Sequence, residues 1–393
     1  MNAIARGLEG VVVTETRLSH VDGERGELLI AGYPVEELAP KAGFEDVLFL
    51  LWNGRAPSAA EHERLSAMLA SERALPPLTL DLLRATAARR AGTMDALRMA
   101  VSTLTVLDPN PQASDRDSHL RRAAGLVARV PTIVAAYWRL RQGLEPVEPV
   151  PGLGHAANYL YMLRGASAPP DVVRALETYL NTVIDHGMNA STFAARVIVS
   201  TRSDMVSALT GAIGCLKGPL HGGAPGPALD MVFDIRRRAA RTGHSIAVEA
   251  EEWAREAVAS GARLMGFGHR VYKVRDPRAE VLAKTAASLF AGARDRQLYD
   301  DACTVEDSLL RVLHELKPGR RLETNVEFYT ALVLHGVGLE PELFSPTFAV
   351  ARAGGWTAHV LEQIHEDHLI RPQVAYVGAR EHAWTAVESA AVG

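Results

Sequence analysis

The sequence has little of what would mark an extracellular, membrane or nucleic-acid-binding protein. Its 393 residues include only two cysteines, Cys215 and Cys303, which excludes a disulfide framework and a zinc site built on cysteines. No apolar run approaches the length that spans a bilayer, and the first residues lack the apolar core of a signal peptide. Lysine and arginine number 42 against 46 aspartate and glutamate, so the basic excess of a nucleic-acid-binding surface is missing. We therefore expect a cytoplasmic protein with neither a membrane nor a nucleic acid as partner.

The composition is that of an ordinary globular protein, with 48% hydrophobic and 22% charged residues. The length exceeds that of one typical core and favours two domains. Residues 8–34 are the only part that suggests strands: short apolar runs at 11–14 and 27–30, with a turn signal at Asp22-Gly23 between them. Apolar residues in 172–184 and 205–216 recur at the spacing of one helix face. The sequence therefore predicts a mainly α fold with a small N-terminal β element.

One stretch of the chain concentrates positive charge around an imidazole. His269 follows Gly266 and Gly268, and residues 263–278 hold five cations and one anion, a local net charge of +4 in a chain of net charge −4. Such a patch suits a small polyanion, because carboxylates and phosphates accept charge-assisted hydrogen bonds. A charge run by itself is more often a solvated turn. The interpretation therefore depends on the other polar segments.

A second histidine lies between two helical patterns. The spacing places His186 at the end of the first helix, with Gly187 as its left-handed C-cap and either Asn189 or Ser191 as the N-cap of the next helix. The imidazole would then lie at the mouth of a helix junction. Its two open roles are binding a ligand and hydrogen bonding to the last carbonyls of its own helix.

Three further polar residues are candidates for function. His221 lies in a glycine- and proline-rich loop before a helix predicted to begin near Pro227, and such a loop by itself is more often a plain connector. In a functional role, the helix dipole there favours a neutral imidazole that can donate a hydrogen bond to an enolate oxygen. Glu327 is either a general base or the partner of Thr324 in a capping box, and its spacing alone favours the capping box. Arg352 lies in an apolar helical pattern, where burial calls for an anion as partner and exposure would make it an ordinary surface residue.

Taken together, these segments resemble citrate synthase, specifically the short bacterial dimeric type that includes 2-methylcitrate synthases. The likeness runs from Gly7 to Pro372, and five motifs carry it in the family's order: residues 185–192, Gly218-Pro-Leu-His221-Gly-Gly, residues 265–278, Asn325-Val-x-Phe-Tyr and Gly355-Trp-x-Ala-His359. The resemblance implies a two-domain, all-helical homodimer. Its large, dimerising domain would comprise residues 1–221 plus 333–393, and its small domain, 222–332, would bind CoA and close the cleft.

The resemblance also implies a reaction and a site. The reaction is the condensation of acetyl-CoA with oxaloacetate and water to citrate and CoA, an acyltransferase step of the tricarboxylic acid cycle that requires no metal and no cofactor beyond the co-substrate acetyl-CoA. The implied catalytic groups are the base Glu327, the enolate donor His221 and the ketone-polarising His269. Oxaloacetate would be bound by His186, Arg278, Arg352 and the partner subunit's Arg371. CoA would be bound by Arg263, Leu264, Met265, Gly266, Phe267, Gly268, Lys273 and Arg275.

One departure from the family's pattern leaves alternatives open. The family's usual base is aspartate, and Glu327 places its carboxylate one methylene further from the backbone. A catalytically impaired paralogue that only binds CoA or oxaloacetate is therefore one alternative. Another is 2-methylcitrate synthase, which uses propionyl-CoA and differs by one methylene in the acyl pocket. A metal site at His365-x-x-His368 is a third, although no further ligand pair accompanies it.

Overall fold

The structure, a computed structural model, describes residues 4–8, 10–222, 225–292, 295–381 and 384. In this part of the chain helices dominate, which confirms the predicted mainly α fold. The α-helices are α1 Val35–Leu38, α2 Phe44–Asn53, α3 Ala59–Ser71, α4 Pro77–Ala88, α5 Thr93–Ser102, α6 Arg116–Arg141, α7 His155–Arg164, α8 Pro170–Val183, α9 Ala190–Ser200, α10 Met205–Leu216, α11 Pro225–Thr242, α12 Ile246–Ala259, α13 Pro277–Phe290, α14 Arg296–Leu316, α15 Val326–Gly336 and α16 Phe344–Glu366. Short 3₁₀ helices occupy Arg6–Leu8, Thr103–Leu107 and Pro341–Leu343.

A three-stranded antiparallel sheet lies near the N-terminus. Its strands are β1 Ser19–Asp22, β2 Glu27–Ile30 and β3 Tyr33–Pro34, in the order β1-β2-β3. The predicted strand at 27–30 and the turn at Asp22-Gly23 are confirmed, and the Asp22 carboxylate accepts the backbone N–H groups of the turn. The predicted strand at 11–14 is wrong. That segment lies outside the sheet with Val12 86% exposed, so its apolar side chains have no pleated surface on which to pack.

The two helical patterns in the sequence correspond to α8 and α10. Helix α8 begins with Pro170 at its first turn, where the missing N–H costs nothing. Helix α10 begins after Asp204, whose carboxylate accepts the Ser207 N–H at 2.8 Å. Their apolar faces are buried, as the periodicity predicts.

Helix α16 runs through the core and determines where the active-site segments meet. Every residue from 349 to 360 is buried, which is typical of a helix surrounded by other elements. A Cβ on Gly355 would lie 2.2 Å from the Ile184 carbonyl oxygen, so only glycine lets the backbone after α8 approach this closely. The helix ends at Glu366, and an extended segment containing Pro372 follows, as predicted. None of the helices in the described part of the chain has the length and apolar character needed to cross a bilayer.

Candidate active site

His186 lies in the short connection between α8 and α9. Helix α8 ends at Val183, so Gly187 (φ 59°) is left-handed as predicted but lies beyond the helix cap rather than forming it. Asn189 is the N-cap of α9, and its side chain accepts the Thr192 N–H. His186 Nε2 lies 3.0 Å from the Tyr272 hydroxyl. Burial, followed by the positive charge of Arg278, holds the pKa of His186 well below its usual range, so the imidazole is neutral.

His221 follows α10 and contacts the start of α9. Its Nε2 lies 3.3 Å from the Ser191 backbone nitrogen and 2.8 Å from Ser191 Oγ. Because a backbone N–H can only donate, Nε2 accepts and the proton resides on Nδ1, which remains available as a donor. Burial and the charge of Arg352 lower the pKa of His221 to about 4. The predicted neutral imidazole thus follows from burial rather than from a helix dipole. The next residues of its loop, Gly223 and Ala224, lie outside the described residues.

The segment that carries His269 is tied to the start of α15. Gly266 and Gly268 both have positive φ, and their carbonyls accept the backbone N–H and the Nδ2 of Asn325 at 2.9 and 2.8 Å. The Gly268 N–H donates to the Glu323 carbonyl at 2.7 Å. A Cβ on Gly266 would lie 3.0 Å from the Phe328 side chain. These contacts bring the segment beside the helix that carries Glu327.

The imidazole of His269 is oriented by its own loop. Its Nδ1 accepts the backbone N–H groups of Val271 and Tyr272, each at 3.1 Å, so Nε2 carries the proton. Burial and the charge of Arg278 lower the pKa of His269 to about 4. The rings of His269 and His186 lie 5.7 Å apart between centroids. Two neutral imidazoles therefore lie edge to face, and His269 presents an N–H toward the site.

Arg278 is held in the site by a buried ion pair. It is 4% exposed, and its Nε and Nη2 donate to the two carboxylate oxygens of Asp276 at 3.0 and 2.8 Å. Asp276 also caps α13 and accepts the Val326 N–H at 3.2 Å. Sequence analysis missed Asp276, although an aspartate directly before Pro277 is a recognisable helix start. Its carboxylate fixes the guanidinium 3.4 Å from His269 Nε2.

Arg352 is buried in α16 without an anionic partner. It is 2% exposed, its Nε donates to the Val183 carbonyl at 2.8 Å, and its guanidinium lies 4.5 Å from the centroid of the Phe348 ring. No ion pair joins it to any other described residue, and burial lowers its pKa to about 10. An unpaired buried cation is costly. The sequence left burial or exposure open; the structure shows burial and favours an anionic ligand at this position.

Glu327 is not held in a capping box, so the spacing-based prediction is wrong. The N-cap of α15 is Asn325, whose side chain accepts the Glu327 N–H at 2.9 Å, and Thr324 Oγ1 is buried without a partner. The Glu327 carboxylate makes no hydrogen bond to any described residue. Burial raises its pKa to about 7, although the charges of Arg263 and Arg278 oppose that shift. A carboxyl group with this pKa can act as a general base near neutral pH.

The remaining predicted ligands differ in their availability. Leu264 and Phe267 are buried, Met265 is partly exposed, and Arg263 and Lys273 are exposed. Arg275 donates to Glu306 at 2.6 Å and lies 3.4 Å from Glu280, so its charge is already paired within the chain. Arg371 is exposed in the extended segment after α16. It follows Ile370, whose N–H donates to Ser200 Oγ, and it forms no hydrogen bond or ion pair with the described residues.

Two other contacts were not anticipated from the sequence. The Trp356 indole donates to Ser191 Oγ at 3.0 Å, which fixes the residue that orients His221. The Asp185 carboxylate lies 3.2 Å from Nε2 of the buried His359. Both donors lie in motifs that the sequence singled out, but only the packing of α16 on α9 reveals their partners. His365 and His368 are exposed, and among the described residues the one His/Asp/Glu group of ligand spacing is His244, Glu249 and Glu252.

The chain is similar to known proteins over nearly its whole length. The family model described as citrate synthase, C-terminal domain, matches residues 7–373. The chain is 40% identical to a citrate synthase of Haloferax volcanii over 98% of both proteins, and 39% identical to a 2-methylcitrate synthase of Mycobacterium tuberculosis over 95% of this chain and 91% of that protein. Among solved structures, a citrate synthase from Pyrobaculum aerophilum is 36% identical with TM-score 0.87, covering 98% of this chain and 95% of that one. A citrate synthase from Thermoplasma acidophilum, solved with carboxymethyl coenzyme A and oxaloacetate, is 29% identical with TM-score 0.88 over 98% and 99%.

Proposed function

This chain belongs to the citrate synthase family, and we propose that the residues around His186, His221, His269 and Glu327 carry out the family's reaction. That reaction joins the acetyl group of acetyl-CoA to oxaloacetate and, with water, releases citrate and CoA. One observation carries the proposal: a carboxyl group with a pKa of about 7 shares its surroundings with neutral imidazole donors and an unpaired buried arginine.

The first step forms an enolate. The Glu327 carboxylate removes a proton from the acetyl methyl group, and the electron pair of the C–H bond moves toward the thioester carbonyl oxygen. His221 donates its Nδ1–H to that oxygen, because its Nε2 is engaged by the Ser191 N–H. Donors aimed at a developing oxyanion in a water-poor site supply a large share of catalysis. A neutral imidazole can stabilise the enolate oxygen by donating this hydrogen bond.

The second step forms the carbon–carbon bond. His269 donates its Nε2–H to the ketone oxygen of oxaloacetate, which makes the carbonyl carbon more electrophilic. The enolate carbon attacks that carbon, and the new alkoxide takes the Nε2 proton of His269, which solvent restores while Glu327 releases its proton to water. Arg278 and Arg352 bind the two carboxylates, with His186 beside them. Water then cleaves the thioester, giving citrate and free CoA.

CoA binding is assigned to residues 263–268 and their neighbours. The backbone of this segment, opened by its glycines, borders the adenine, and exposed cations meet the phosphates. Arg263 and Lys273 suit that role better than Arg275, because Arg275 is already paired with Glu306. Charge reversal at Lys273 should therefore raise the KM for acetyl-CoA, measured by initial rates at saturating oxaloacetate.

We further propose a cytoplasmic homodimer with the predicted domain division, a large domain of 1–221 plus 333–393 and a small domain of 222–332. Arg371 supports the dimer, because it is exposed, unpaired among the described residues, and carried on an extended segment. In the dimer the partner subunit's Arg371 would complete the oxaloacetate site. Dilution below the dimer dissociation constant would then abolish turnover.

The pH dependence of activity tests the assignment of Glu327. A base must be ionised, and the pKa of Glu327 is about 7. Well below that pH, kcat/KM therefore falls about tenfold for each pH unit. His221 and His269, with pKa values of about 4, stay neutral between pH 5 and 7 and do not contribute to this limb. A pH series of kcat/KM for acetyl-CoA measures it. A midpoint near 4.5, the ordinary value of a glutamate, would contradict the assignment.

The acyl preference is tested by comparing kcat/KM for acetyl-CoA and propionyl-CoA on the same preparation. We expect acetyl-CoA to be preferred, with measurable use of propionyl-CoA, because one methylene in an apolar pocket contributes only about 1–3 kcal/mol. The alternative has a specific basis in the 39% identity to a 2-methylcitrate synthase. A preference for propionyl-CoA would establish that alternative.

A further inference from the structure

The N-terminal hairpin formed by β1 and β2 contacts both histidine loops of the active site. One loop, residues 184–189, carries His186, and the other, residues 269–275, carries His269. The two loops are far apart in sequence. Between their own side chains, the structure gives one hydrogen bond among the described residues, between Tyr272 and His186. The hairpin adds further contacts to each of the two loops.

The first strand holds the His186 loop through Ser19. Its hydroxyl donates to Asp185 Oδ2 at 2.5 Å and accepts the Gly187 N–H at 2.8 Å. Val21 on the same strand packs against Gly187, with its Cγ2 3.6 Å from where a Cβ on that glycine would lie. The residues on both sides of His186 are therefore fixed to one strand.

The turn of the hairpin holds the His269 loop through its backbone. The Lys273 N–H donates to the Gly23 carbonyl at 2.8 Å. A Cβ on Gly23 would lie 2.2 Å from the Val271 carbonyl oxygen, and a Cβ on Gly26 would lie 2.6 Å from Val274 Cγ2. Since the Val271 oxygen is a backbone atom, it can give way only if the whole loop moves. The contact therefore requires glycine at position 23.

We propose that this hairpin is a positioning element that sets the separation between His186 and His269, with Ser19 and Gly23 as its positioning residues. The inference rests on the proposed function, in which both imidazoles act on one oxaloacetate molecule. Such groups must be held to within about 0.5 Å. A displacement of about 1 Å costs on the order of 10²-fold in rate. A strand pair joined to both loops can hold the two imidazoles at this precision.

The test compares Gly23→Ala with Gly152→Ala. Neither glycine has a positive φ, and a Cβ on Gly152 would meet nothing within 4 Å, so the pair differs in the contact with Val271. We expect Gly23→Ala to weaken oxaloacetate binding, measured by calorimetry, and to lower kcat/KM for oxaloacetate by about 10- to 100-fold. We expect Gly152→Ala to match the wild type in both. Thermal unfolding of each variant confirms that it is folded.

Ser19 gives an independent variant should Gly23→Ala fail to fold. Ser19→Ala removes the bonds to Asp185 and Gly187 and should raise the Kd and KM for oxaloacetate. Ser19→Thr keeps the hydroxyl and should restore both. A purely structural role would lower the melting temperature and the active fraction while leaving the Kd for oxaloacetate unchanged.

Two outcomes would overturn the proposal: folded Gly23→Ala and Ser19→Ala variants whose Kd and KM for oxaloacetate lie within twofold of the wild type, or Ser19→Thr that fails to restore binding. Failure of the proposed function is distinct, because it would appear as absent turnover in the wild-type protein. The calorimetric comparison of oxaloacetate binding would still test the hairpin in that case.

Discussion

Replacing Glu327 with glutamine lowers kcat by about 10²- to 10⁴-fold, the range that a positioned general base contributes. Glutamine matches glutamate in shape but cannot take a proton from the acetyl methyl group. The side chain is partly buried, the carboxylate is free of the capping box, and its pKa is about 7, so it is ready to act as a base. The measurement is thiol release from acetyl-CoA in the presence of oxaloacetate.

The Glu327→Asp variant is the matched control, because it keeps the carboxylate and moves it back by one methylene. We expect it to retain readily measured turnover, whereas Glu327→Gln does not. Substrate binding by Glu327→Gln should remain near that of the wild type. Wild-type protein that binds both ligands without releasing CoA would instead support the impaired paralogue.

Glu327→Gln lowers activity but should raise the free energy of unfolding near neutral pH, and the sign follows from the pKa of Glu327. In the folded state Glu327 holds its proton up to about pH 7, whereas in the unfolded chain it releases it near 4.5. Folding therefore binds a proton in this interval, and this residue destabilises the wild type progressively as the pH rises from about 4.5 to 7. Glu327→Gln lacks that loss. Parallel denaturant titrations at pH 5 and 7.5 would show the difference.

Replacing Arg352 with leucine lowers kcat/KM for oxaloacetate by about 10²- to 10³-fold, mostly through a higher KM. Truncating one partner of a buried, hydrogen-bonded charge pair costs roughly 2–5 kcal/mol. The guanidinium is 2% exposed and unpaired among the described residues, so the ligand carboxylate is its expected partner. The free energy of unfolding should change little, because the buried charge that is removed has no ion-pair partner in contact with it.

Arg196 is the matched control for this experiment. It is as deeply buried as Arg352, but it donates to Glu362 at 2.7 Å and to Glu366 at 2.9 Å. Arg196→Leu should therefore lower the free energy of unfolding by about 3 kcal/mol or more, since it leaves both carboxylates without their cation. Loss of stability in Arg352→Leu comparable to that in Arg196→Leu would contradict a ligand-binding role for Arg352.

Much of the site could be predicted from local sequence. His186, His221 and His269 lie in short motifs that contain glycines. Such motifs identify the candidate side chains and predict where a helix begins or ends. The periodicity of α8 and α10 was also sufficient to predict them. The apolar run at 11–14 was not sufficient to predict a strand. Apolar residues form a strand only where another strand is available for pairing, and the sheet begins at Ser19.

The sequence by itself determined the family, the mainly helical fold and the chemical types of the site residues, because those depend on residue identity and spacing along the chain. Only the tertiary structure decided what each ionisable group does. Glu327 lost its expected cap to Asn325 and gained a pKa near 7 by burial, Arg275 was paired with Glu306, and Arg352 was left without an anion. Desolvation and charge pairing depend on residues that folding brings together from distant positions, and spacing along the chain does not encode those distances.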